Sequence, residues 1–167
     1  MVAGLVLPDM VGAVIALLQE DPDVAALCGK NVPAGYLPRV ASALPEVPTT
    51  DPRHWFMPDY AVLIRRAGGR GADVYSDLHY GRIDVRCFGP GDSINMRRRN
   101  ADELWRTVHP VLSPPSPYRS SYQAKRTIIH SIVPEAEPIP LAVEDGTDWP
   151  LMLCSYIVTY SGARLAA

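Results

Sequence analysis

The sequence has almost no charge imbalance. Sixteen basic residues stand against 18 acidic ones, a formal net charge of −2 over 167 residues. A field that weak does not argue for nucleic acid as the main ligand. Cysteine is scarce and unpaired in pattern: Cys28, Cys87 and Cys154 are odd in number and form no CxxC. That excludes a zinc knuckle or redox motif by spacing, and three buried, reduced thiols are expected. His54, His79, His109 and His130 never fall at HxxxH spacing, so no histidine metal pair is expected. GK[ST] and GxSxG are both missing, so neither a phosphate loop nor a nucleophile elbow is supported. Asp51 and His54 place a carboxylate near an imidazole, a pairing common by chance. The acidic residues between 135 and 148 do not alternate as tightly as calcium requires. No catalytic, cofactor-binding or metal-ligating residue is expected. The apolar start lacks a basic leader and is interrupted by Pro8 and Asp9, which reads as a buried helix and not as a signal peptide or membrane span.

What is abundant is proline. Seventeen prolines are roughly twice average usage. They cluster at 33–58, 110–117 and 134–150, where the chain must run extended. The length fits one domain, 1–167, and the apolar share of 47% is enough for a real core.

Hydrophobic spacing then gives the elements. Val11, Val14, Ile15 and Leu18 recur at helical spacing up to about Glu20. Asp21-Pro22 restarts a short helix, with Asp21 as cap and Pro22 at its first position. The connection 30–58 has no clear period. Strands are expected at 60–66 and 78–88, joined by a flexible glycine-rich turn. Asp92 or Ser93 caps the longest helix, 94–112, whose inner stripe reads Ile94, Ala101, Leu104, Trp105, Val108 and Leu112. Further strands are expected at 125–133 and 151–161, and the residues 134–150 read as a loop in which Leu141-Ala142-Val143 could add a short edge strand. The fold class is therefore α+β, in the order α-α-β-β-α-β-β. A mixed, mainly antiparallel four-stranded sheet would carry the helices on one face, with long proline-rich loops. Arg97, Arg98 and Arg99 fan around the long helix. A solvated face, an ion-pairing surface and DNA-backbone contact all stay open there, although the lack of interleaved aromatics counts against single-strand binding.

Three stretches, DPDVAALCG at 21–29, HYGRIDVRCFGPGD at 79–92 and RRRNADELWRTVHPVL at 97–112, together with N-V-P-x-G at 31–35, resemble the tail terminator and tail-completion proteins of long-tailed bacteriophages. The resemblance runs from about residue 9 to 161. It implies a sheet flanked by helices and a homo-oligomer, a hexameric ring on the head-proximal end of the tail tube. That ring stops tube polymerisation, offers a face to the head–tail connector and lets genomic DNA pass through its lumen. It also implies a virion component, assembled in the host bacterial cytoplasm. The long connections at 30–58 and 134–150 depart from the shorter family members. Two other readings stand beside this one: a head-completion or stopper protein of the neck, and a small enzyme or ligand-binding domain. Under the first reading two surfaces are expected to make contacts. One is the hairpin tip with Gly69, Arg70, Asp73 and Tyr75. The other pairs Arg97, Arg98 and Arg106 with Glu135, Glu137, Glu144 and Asp145 of a neighbouring subunit.

Overall fold

The computed structural model describes residues 8–30, 32, 34–35, 37–42, 59–70, 77–114, 121–141 and 150–162. Asp73, Tyr75, Glu144, Asp145 and the Asp51–His54 pair lie outside the described residues.

Helix α1 (Met10–Glu20) starts where the Asp9 carboxylate accepts the Gly12 N–H at 2.9 Å. It buries Met10, Ala13, Val14 and Leu18. Helix α2 (Pro22–Cys28) follows with no spacer. Asp21 accepts the N–H groups of Asp23 and Val24, both at 3.0 Å, and Pro22 occupies the first turn, where its missing N–H costs nothing.

The described residues form one seven-stranded sheet, not four strands. The four long strands anticipated from periodicity are present as β2 (Ala61–Arg70), β3 (His79–Phe88), β5 (Thr127–Pro134) and β7 (Leu151–Gly162). Three short ones join them: β1 (Val40–Ala41), β4 (Tyr122–Ala124) and β6 (Ile139–Leu141). The element order is thus α-α-β-β-β-α-β-β-β-β. Two or three residues are too few to show a period of two, which is why these strands escape a sequence reading. The sheet order is β1-β2-β3-β7-β5-β4, with β6 beside the first part of β7. Only β1 and β2 run parallel. Lys125 and Arg126 are not strand residues. Both hold positive φ, 49° and 58°, and make the tight turn between β4 and β5.

The glycine-rich stretch after Arg66 also differs from expectation. It continues β2, pairing Gly69 with Gly81 and Arg70 with Tyr80 after an irregularity near Ala67. Gly69, at φ 149°, lies so close to the Tyr80 carbonyl that a side chain would collide with it. Glycine therefore lengthens the hairpin arm here instead of loosening it.

Helix α3 (Ile94–Leu112) lies across the sheet and buries Ala101, Leu104, Val108 and Leu112. All three helices share one core with the Ile83, Val85, Tyr156 and Val158 face of the sheet, so the helices occupy one face. The opposite face holds a smaller cluster, Ala61, Leu63, Phe88 and Leu151.

The start of α3 behaves unlike its middle. Ser93 caps it by accepting the Met96 N–H at 3.2 Å. Gly89, just past the end of β3, sits against Asn100 and Ala101. The sheet thus ends level with Ala101, and residues 94–100 project beyond it for about two turns. None of those seven residues is buried. Ile94 is 55% exposed and does not belong to the inner stripe.

Candidate assembly surfaces

Of the six large apolar side chains exposed among the described residues, Leu37 and Tyr80 stand apart and the other four gather on two surfaces. The first is the projecting tip of α3. Ile94 and Met96 are exposed there, Met96 at 49%. Arg98 and Arg99 are exposed beside them. The tip is held rigidly at its base: Arg97 Nε donates to the Gly91 carbonyl at 2.8 Å, and Asn100 Nδ2 donates to the Pro90 carbonyl at 2.7 Å. No acidic residue occupies the first turn, so the arginines add to the positive end of the helix; the carboxylate of Asp92 stands just ahead of the Ser93 cap.

The second is the strip along β5 and β6. Val133 is 54% exposed and Ile139 is 52% exposed. Val133 lies opposite Ile157 and Ile139 opposite Leu153, so both project from the sheet face away from the helices. Glu135 and Glu137 lie between them and are exposed. Glu135 is anchored to the sheet: its N–H donates to the Ser155 carbonyl and its carboxylate pairs with Arg82 Nε, each at 2.8 Å. Arg82 in turn reaches Ser155 Oγ at 3.4 Å, and Ser155 Oγ donates to Asp84 at 2.6 Å. This network fixes the turn from β5 into β6 against the sheet centre.

The residues singled out from the sequence are distributed unevenly over these surfaces. Arg97 is turned back onto Gly91, and Arg106 pairs with Asp102 one turn earlier at 2.8 Å. Glu135 is engaged by Arg82 within the same chain. Arg98 and Glu137 remain exposed on the tip and strip respectively. Gly69 and Arg70 belong to the β2 arm, on the far side of β3 from the strip. The exposed Val133 and Ile139 were not anticipated: an aliphatic residue in a strand pattern, as at Val133, reads as core, and Ile139 falls in the stretch that reads as a loop.

No family model matches the sequence, and no curated protein matches it. Its fold is shared. A chain of a solved structure titled "Virion of native gene transfer agent (GTA) particle" superposes with a TM-score of 0.57 at 14% identity. The match covers 92% of this chain and 95% of that one. Coverage that high on both sides means the two share the whole architecture and not one supersecondary unit.

Among the described residues no three His, Cys, Asp or Glu side chains converge as a metal site would require. No described helix is long and apolar enough to cross a membrane. A buried polar contact lies under the last turns of α3, where His109 Nδ1 and the Tyr156 hydroxyl meet at 2.9 Å. The ring of His109 also packs on Trp105, with centroids 5.0 Å apart. This cluster is closed in by the helix and serves to seat it.

All three thiols are buried. Burial pushes the Cys28 thiol from 9.0 up to about 12, with the Arg39 charge opposing part of the rise. Burial also raises the Cys87 thiol well above its ordinary value, and the neighbouring Cys28 and Cys154 add to it. These groups are the reverse of activated nucleophiles. They also set a pH dependence. A thiol whose folded pKa exceeds its unfolded value stabilises the fold fully below the unfolded value, and that contribution is lost as pH rises through the folded one. Stability is therefore expected to hold up to about pH 9 and to fall between 9 and about 12. Guanidinium midpoints at pH 8 and 10.5 test this; equal midpoints would contradict it.

Proposed function

We propose that this chain is a structural protein of a virion neck. In this reading copies of it form a ring that caps the head-proximal end of a tail tube, ends tube polymerisation and joins the tail to the head connector. The observation that carries the reading is the near-complete fold match to a chain of a virion particle, taken with the motif resemblance over residues 9–161. Two properties of the molecule agree with it. The described helices and sheet share a buried core, while four of the six exposed large apolar side chains sit on a projecting helix tip and a sheet edge, where neighbours can reach them. A net charge of −2 also suits a lumen through which DNA moves without being held. The reading assigns the chain no catalysis and no cofactor. Hexameric closure and the tube and connector partners belong to the same proposal.

The test is negative-stain imaging of the purified chain mixed with the tail-tube protein of the same genome. Rings at one end of tubes of limited length are the expected result. Tubes that grow uncapped beside free protein would overturn the terminator role and favour a stopper bound on the connector side.

A further inference from the structure

We infer that ring closure is made by seating the projecting tip of α3 from one copy on the β5–β6 strip of the next. The inference rests on the ring reading above and names its interface. The two patches are complementary in chemistry. The tip offers Ile94, Met96 and Arg98; the strip offers Val133, Glu137 and Ile139. Each therefore pairs two large exposed apolar side chains with a charge, and the two charges are opposite. Exposed aliphatic groups set beside charge mark interaction sites more than scattered surface residues do.

The two patches differ from one another, so copies can follow one another head to tail, the tip of each on the strip of the next. Repeated head to tail, the tip-to-strip contact is heterologous, and a heterologous contact that closes generates a ring. The strip is also built against the obvious alternative, backbone pairing with another strand. Pro134, Pro138 and Pro140 punctuate it, and proline has no N–H to donate to a ladder. What remains on offer is side chains, presented on a turn that the Arg82–Glu135 pair holds in place. The tip is equally prepared. Its first two turns gain nothing from the core, and an acidic partner would relieve the positive charge gathered at the helix start.

The experiment is charge reversal read by sedimentation velocity on the full chain, alone and with tube protein. Arg98→Glu and Glu137→Arg should each weaken self-association, roughly fivefold to tenfold per contact. The double reversal should restore it. Thermal midpoints should stay at the parent value, because both side chains are exposed. A double variant no better than the weaker single one overturns the pairing. So does a Met96→Cys chain that fails to form a disulfide with an Ile139→Cys chain on mixing; the native thiols are buried and do not compete. If the parent associates and no variant alters it, the interface is wrong and the ring reading stands. If the parent stays monomeric even with tube protein, both fall. If Arg98→Glu spares self-association but abolishes tube binding, the tip belongs to the tube and the inference is overturned.

Discussion

Replacing Leu104 by alanine is expected to lower stability by roughly 2–5 kcal/mol and the thermal midpoint by roughly 4–20 °C. Leu104 is completely buried at the centre of α3, between Ala101 and Val108 on the stripe that faces the sheet. Removing its isopropyl group loses transfer free energy and leaves a cavity, because the Ala101, Val108 and Leu112 contacts on either side hold the helix where it is. Typical domains have only about 5–15 kcal/mol in total, so the loss is a large share. Arg106→Ala, one exposed position away from the stripe, removes only an i,i+4 pair with Asp102 and is expected to cost about 0.5 kcal/mol or less. Circular dichroism melts of the two variants decide the point. Similar midpoints would mean that α3 is not seated through Leu104.

The second large effect is expected at Gly89. A methyl group there would fall on the backbone of Asn100 and Ala101, atoms that cannot rotate aside. The helix would have to lift, and lifting it draws Leu104 out of the core. Gly89→Ala is expected to cost roughly 1–3 kcal/mol, although alanine is ordinarily the mildest of substitutions. Gly162→Ala is the matched control, since a side chain there meets nothing within 4 Å. A Gly89→Ala chain with the parent midpoint would show that the sheet end and the helix are not in contact as described.

How far the sequence foretold this molecule depends on the element. The long helix was legible to the residue, because a serine cap opens it and a Ser-Pro-Pro-Ser-Pro run follows it. The four long strands were legible, β3 from the alternation of Ile83, Val85 and Cys87 with charged residues and β5 and β7 from their β-branched and aromatic content. Their three short companions were not, for want of length, and the Lys125-Arg126 turn was hidden inside a β-rich run. Ile94 shows a deeper limit. Helical spacing assigns it to the inner stripe, but nothing in the local sequence states that the sheet stops at Phe88 and leaves it without a floor. The surfaces were harder still. The arginines and glutamates could be named as exposed charges. Which of them are already engaged within the chain, as Arg97, Arg106 and Glu135 are, depends on contacts that only folding brings together. Val133 and Ile139 were invisible for the same reason.

The position of β7 also governs how the molecule comes into being. β7 alone links β3 to β5 and β6, and its partners in β3 precede it by about seventy residues, as in the pair Asp84 with Ser155. A growing chain that has not yet reached Leu151 therefore holds two strand pairs not yet joined in one sheet, β2 with β3 and β4 with β5. Closing so long a loop is slow relative to local helix formation. The strip that turns on Ser155 cannot exist before that closure. The full sheet is thus complete only after synthesis has passed its central strand.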